Sequence, residues 1–334
     1  MQVLCSLCRI ASTLVLAGSL AIAQAPVVVV DDDGGPGVDY TLLHQATAEA
    51  ADGSVILVKP GDYAGAIVVD AKSLVITADE EGDVRIDYRI FVKHLTASQS
   101  AVLRGLRFDS LDLSGGTAGI DISANAGPVL VQSCVVAATH GSYPVNVFES
   151  ASVTFVDCDL LGGYVDPPFT NAALSAKHSN VTVYNSSLLG QKGKSGGGLG
   201  GHGAVLTGGT LFASGSTFQG GQGASGSLDP FSTCTFGGPG GHGLMFFENP
   251  EVFLLDSVTA GGAGGPALPP CAPGAPGVPI YGEGTVTSYL GQARSLAPLS
   301  PIELGQTATL SFAGKPGDIA VSYTHLTLPT ILRV

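Results

Sequence analysis

Short runs of alternating apolar and polar residues return along this chain at a nearly constant step. Leu103 in VLRGL has counterparts at Val131 (VLVQSC), Phe155 (VTFVDC), Val183 (VTVYNS), Phe212 (TLFASG) and Leu254 (VFLLDS), at separations of 28, 24, 28, 29 and 42 residues. A second run keeps the step: Ile122 (GIDI), Val147 (VNVF), Leu174 (AALS), Leu206 (GAVL) and Phe246 (GLMF), separated by 25, 27, 32 and 40. Period-two alternation over four or five residues marks a strand with one buried face. Two strand types in fixed order, recurring with one period, define a solenoid. The step fits one turn of a right-handed parallel β-helix, an all-β fold, here of about seven to nine coils.

Ahead of the repeat, Asp39 reads as a helix N-cap, and Leu42, Leu43, Ala46 and Ala50 share one helical face. This short N-terminal helix is expected to cap the open end of the first coil, where an exposed sheet edge would be a liability. Strands are expected next at 55–58, 67–69 and 74–77. The order Asp52-Gly53, Ile56-Leu57-Val58, Lys59-Pro60-Gly61 and Tyr63 resembles the entry motif of the pectin-lyase-like parallel β-helix superfamily. With the repeat that follows, the resemblance covers roughly residues 27 to 290. It implies a fold and leaves activity open, because that superfamily holds lyases, hydrolases, esterases and non-catalytic surface proteins.

The ends differ from the repeat. Arg9 followed by IASTLVLAGSLAIA reads as a secretory leader over residues 1–23, cleaved before Gln24. The apolar stretch is too short to span a bilayer, and no later one is long enough. The mature protein is therefore expected to be secreted or held at the cell surface. The β-helix is expected over 24–290, with Gly-rich loops at 190–284. Residues 291–320 alternate like the start of a further, truncated β module, and VSYTHLTLPTILRV at 321–334 resembles translated sequencing-adapter read-through. On that reading the tail is non-native and the true C-terminus is missing.

Composition supports the solenoid. Charged residues are only 12%, and more than half of the 48 Gly fall between Gly190 and Gly291, while 45% of the chain is apolar and arranged in strands. Disorder does not fit that arrangement. The net charge of −13 disfavours nucleic acid and anionic lipid. It would also repel a polyuronate unless calcium bridged the two. Calcium is thus a possible cofactor, with none certain. Cys5 and Cys8 leave with the leader. Cys134 and Cys158 fall at one position of successive coils and read as stacked buried thiols. Cys234 and Cys271, in two Gly/Pro-rich loops, are the better disulfide pair for an oxidising compartment.

Three constellations carry candidate chemistry. A duplicated GG-x-GGHG places His202 and His242 40 residues apart, the same step as Leu206 to Phe246, so the two imidazoles should stack. A shared metal would need a third ligand, for which Asp229 and Glu248 are nearest in sequence. A repeating Gly-rich turn with packed imidazoles is the simpler reading. GGHG is also similar to one polygalacturonase motif, but the accompanying acidic residues are missing, and no Lys or Arg lies between Lys194 and Arg294. The activity is therefore not carried over. Second, Arg85, Arg89, Lys93, Arg104 and Arg107 interleave with Asp83, Asp87 and Asp109. A lyase needs a strong base near carboxylates, so Arg89 and Arg107 with Asp87 and Asp109 form the best catalytic set, against a background of ordinary surface ion pairs. Third, Ser133, Asp157, Asn185, Ser214 and Asp256 recur once per coil and read as a hydrogen-bonded ladder. The run Asp31–Asp33 has no calcium-loop spacing.

No complete catalytic set can be assembled. The expected function is a monomeric, non-catalytic secreted or surface protein with a structural, adhesive or glycan-contact role, its partner a polysaccharide or cell-surface component. The alternative is a polysaccharide lyase or glycoside hydrolase using the Arg85–Asp109 region.

Overall fold

The computed structural model describes residues 25–79, 83–112, 118–140, 143–162, 172–194, 197–228 and 234–289. Beyond them it describes two antiparallel strand pairs, Ser295–Pro298 with Leu310–Ala313 and Ile319–Ser322 with Thr330–Arg333. The leader read over 1–23, Asp229 and the remainder of 291–334 lie outside the described residues.

Three parallel sheets of ten, eight and eight strands run along the chain, each adding one strand per coil in sequence order. The first runs from Val27–Val30 through Ser54–Val58 and Leu74–Ala78 to Thr285–Tyr289. The second runs from Gly61–Tyr63 to Val258–Ala260, and the third from Ile67–Asp70 to Ile280–Tyr281. This is a right-handed parallel β-helix. Its core is a stack of inward Val, Ile, Leu and Phe, with Ile56, Ile76, Leu103, Val131, Phe155 and Val183 all fully buried.

The repeat read from sequence shows the first and third sheets. Strands of the second, such as Val84–Ile86 and Ser187–Leu189, are three residues long, too short for alternation to register. The pairing of Leu103, Val131, Phe155 and Val183 follows the expected register. One position is corrected: Val183 pairs with Ala213, not Phe212, and Ala213 pairs with Leu254. A one-residue shift exchanges the faces of a strand. Ala213 fills the core while Phe212 packs outside, edge-on to Tyr184 at 6.0 Å. In the third sheet Val147 pairs with Ala176 rather than Leu174. That two-residue shift keeps the face, so both are buried.

The cap helix is Leu43–Glu49, with Leu42 at its N-cap and no side-chain cap bond. Asp39 instead accepts the Val29 N–H at 2.8 Å, tying the entry strand to the helix approach. Leu43, Ala46 and Ala50 are buried as expected, whereas Leu42 is exposed.

Both short turns use left-handed residues in columns. Between the first and second sheets lie Gly105, Ser133, Asp157, Asn185, Gly215 and Asp256, all at positive φ. Gly215 takes the place expected of Ser214, since the Gly215 N–H donates to Leu255 O as the Asn185 N–H does to Ser214 O. The ladder reading holds: Asn185 Nδ2 donates to Asp157 Oδ1 at 2.6 Å. One residue further on, Cys134, Cys158, Ser186, Ser216 and Ser257 point inward. The Cys158 N–H donates to Ser186 Oγ, and the Ser186 N–H to Ser216 Oγ. Cys134 and Cys158 are free, buried thiols, so the stacked-thiol reading holds. Burial pushes them up to about 12 and about 11 respectively.

Candidate functional site

The second-sheet strands Ser187–Leu189, Thr217–Gln219 and Val258–Ala260 each run into a Gly-rich loop. The loops return to the third sheet at His202–Thr207, Leu244–Phe247 and Ile280–Tyr281. They project from one wall and stack as a hydrogen-bonded bundle. Outgoing segments 190–194, 219–226 and 260–266 bond side by side, through Gly190 N–H to Gln219 O, Gly193 to Gln222, Gly220 to Ala260, Gly223 to Ala263 and Gly226 to Pro266. Returning segments 198–203, 237–243 and 272–279 do the same, through Gly200 to Pro239, Gly203 to His242, Gly237 to Ala272, Gly240 to Ala275 and Gly243 to Val278.

The two layers are also bonded to each other. Gly221 N–H donates to Gly201 O, Gly241 to Gly221, Gly262 to Gly241 and Gly277 to Gly262, at 2.7–2.8 Å. Donors recur every third residue, the screw period of the polyproline-II helix, and the prolines in these segments hold φ near the value it needs. Gly is required where chains touch. A Cβ on Gly241 would collide with Gly201 O, and one on Gly277 with Gly241 O. At the far end Cys234 and Cys271 form a disulfide with Cα atoms 5.4 Å apart. The expected pairing is therefore present, and it ties the second loop to the third.

At the base of the bundle the stacking of His202 over His242 is as expected, with ring centroids 5.1 Å apart and planes within 10°. Tyr281 extends the stack at 4.5 Å from His242, a member the GGHG motif does not announce. The His242 N–H donates to His202 Nδ1 at 2.9 Å and the Val278 N–H to His242 Nδ1 at 3.0 Å. Each Nδ1 is thus an acceptor, which puts the proton of the neutral ring on Nε2. Burial holds His202 down at about 4, and His242 is lowered for the same reason. His202 Nε2 is buried without a partner. Parallel rings at this spacing direct their in-plane nitrogens side by side rather than at one point, and both Nδ1 atoms are occupied. The pair is therefore not built to share a metal, whose bonds to nitrogen are about 2.0–2.1 Å. Among the described residues no cluster of three or more His, Cys, Asp or Glu could hold an ion. Glu248 turns away from the stack to His178, its Oε2 lying 2.7 Å from Nε2 of that ring.

The basic cluster divides. Arg107 pairs in register with Arg85, and Arg85 with Asp62, on the outer face of the second sheet. Arg85 bonds the Asp62 carboxylate at 3.3 Å, both ends well exposed, a pairing of modest energy. Arg89 lies at the entry to the third sheet, over the Tyr88 ring at 5.2 Å, with Nε buried and unpartnered. Asp87 is exposed at the same corner. Arg89 and Arg107 thus occupy adjacent coils but not matching positions. Asp109 is on the strand Leu106–Asp112, and its side chain lies outside the described residues.

Sequence reading missed the turn after the third sheet. Its left-handed column includes His94, Ala124, Glu149, His178, Gly208 and Glu248. Because Gly208 has no side chain, His178 reaches across its coil to Glu248, and the pairing holds the Glu248 carboxyl below its ordinary range. Beside it is an open groove of about 460 Å³ lined by Asn125, Glu149, Ser150, His178 and Asn180. The signal was one positive-φ residue per coil, concealed by the varied identity of its members.

The stepwise strand order of the three sheets is that of a parallel β-helix. A pectin methylesterase mutant in complex with a hexasaccharide is similar at 13% identity and TM-score 0.40, over 72% of this chain and 82% of that one. A mutant PL6 family alginate lyase is similar at 14% identity and TM-score 0.32, over 78% of this chain and 39% of that one. No family model and no curated protein matches the chain.

Proposed function

We propose that this chain is a secreted or cell-surface β-helix protein with a structural, adhesive or glycan-contact role carried by the Gly-rich bundle. One observation carries the reading: three long loops are ordered by backbone hydrogen bonds and a disulfide into a rigid projection. Order of that kind lowers the conformational cost of binding. The projection is uncharged from Ser257 to Gly282 in a chain of net charge −13, which suits contact with a neutral surface. The Cys234–Cys271 disulfide fits an oxidising, extracellular setting. No helix among the described residues is long and apolar enough to cross a membrane.

The test is a retention and turnover screen of the full chain on neutral and acidic polysaccharides, with and without calcium, reading bound protein, new reducing ends and unsaturated uronate. Retention without cleavage is expected. Cleavage of any substrate overturns the non-catalytic reading.

A second reading, a polysaccharide lyase or glycoside hydrolase, is favoured by the Nε of Arg89, which is buried without a hydrogen-bond partner two residues along the chain from Asp87. In that case Arg89→Ala and Arg107→Ala abolish turnover at unchanged stability. Full turnover by both variants removes Arg89 and Arg107 from the mechanism.

A further inference from the structure

The bundle is a polar lattice whose growth direction can be read from its donors. In each inner returning segment one row of N–H groups points toward the next coil: Gly200 and Gly203 in the first, Gly237, Gly240 and Gly243 in the second. A neighbouring row, Gly238 and Gly241 in the second segment, bonds the outgoing layer. In the third returning segment the row facing the outgoing layer is Gly274 and Gly277. One position earlier, the row that would donate outward is Pro273 and Pro276, with Pro279 next in the series. Every N–H that the last segment would offer to a further chain is therefore absent.

The substitution preserves the segment. Proline takes the φ of a polyproline-II helix and removes only the donor. All three prolines are exposed, as are Ala272, Ala275 and Val278 between them. The carbonyls of those three are already taken by Gly237, Gly240 and Gly243. The outgoing segment of the same coil keeps Gly261 and Gly264 in its own donor row, so among the described residues the block lies on the returning layer alone. Without it, an ordered, uncharged, apolar edge would be a template for backbone pairing with another molecule.

We propose that Pro273, Pro276 and Pro279 are a built-in stop that keeps the returning layer of the bundle from pairing edge to edge with a second copy of this chain. The proposal does not depend on whether the bundle binds a glycan. The test is sedimentation velocity across a hundredfold concentration range on the wild type, the triple variant Pro273→Ala/Pro276→Ala/Pro279→Ala, and Pro266→Ala. Pro266 is equally exposed but sits in the third row, where the N–H groups of Gln222 and Ser225 in the inner outgoing segment donate no lattice bond. The expected result is a monomeric wild type and Pro266→Ala, with the triple variant at least doubling its sedimenting mass. The single variants Pro273→Ala and Pro276→Ala, less prone to folding defects, should self-associate to a smaller degree. A triple or single variant that folds and stays monomeric overturns the proposal, as does a wild type that self-associates through this edge.

Discussion

The His242 amide donates to Nδ1 of His202 across 40 residues of sequence, at 2.9 Å, and the ring that accepts it is 5% exposed. A protonated His202 would lose that acceptor and place a charge in an apolar setting. The fold therefore holds the ring neutral, with its pKa near 4 instead of the ordinary 6.5.

The sign of the pH dependence follows. Between about pH 6.5 and 4 the unfolded chain binds a proton at this position and the folded chain does not, so stability falls as pH drops through that window. It is unaffected above 6.5 and levels off below 4. At 1.4 kcal/mol per unit, the loss is about 3 kcal/mol, and His242 adds to it in the same direction. His202→Asn keeps an acceptor for the amide without titrating. Urea midpoints at pH 7, 5.5 and 4 should fall less steeply in this variant. Equal slopes would place the acid sensitivity elsewhere.

Gly241 is tightly constrained in the bundle, because it donates to Gly221 O, accepts from Gly262 N–H and lies against Gly201. An alanine there must push two segments apart. Gly241→Ala is expected to destabilise by about 3 kcal/mol, the upper part of the overpacking range. Gly35→Ala, where an added Cβ meets nothing within 4 Å, controls for a change at glycine as such, carrying only the strain of its positive φ. Denaturant unfolding of both variants checks the difference.

Much of the fold was legible because the strands are built from β-branched and apolar residues at period two, and burial repeats that pattern on every coil. Phe212 misled because size suggested an inward residue, whereas Ala213 fits between Val183 and Leu254. The Gly-rich loops gave their position but not their order. Their periodicity is three, with hydrogen bonds between segments distant in sequence, and no hydrophobic face announces it. His178 and Glu248 were invisible as a pair because 70 residues and the absent side chain of Gly208 separate them. Cys234 and Cys271 were legible as a pair because only their loops lie on adjacent coils outside the core.

The disulfide closes a loop of 37 residues and joins the far end of the second loop to the third. Chain entropy alone gives such a loop about 4 kcal/mol. Cys234→Ser/Cys271→Ser should lose a large part of this, and the loss should be local. By hydrogen exchange, the amides of Gly237 and Gly265 at the tip should lose protection first, while those of the first sheet at Val131 and Val183 keep theirs. Uniform loss along the chain would mean that the bundle and the solenoid unfold as one unit.

The thiols make the opposite prediction. Cys134 and Cys158 donate to carbonyls of their own turns, Cys158 to Val156 O at 3.3 Å, as Ser186 does to Tyr184 O at 2.7 Å. The internal ladder thus changes from sulfur to oxygen without changing its bonding. Cys158→Ser should extend the serine part by one rung and cost no more than about 1 kcal/mol, the net worth of one hydrogen bond. Cys158→Val removes the donor and puts a branched side chain into the tight turn, and should cost more. Burial raises both thiols far above neutral pH, and the thiolate is the reactive form. The native protein at pH 8 should therefore take up no iodoacetamide at these positions, and label both once unfolded. Labelling of the native protein on the timescale of an exposed thiol would show that the turns open without global unfolding, contrary to the closed ladder.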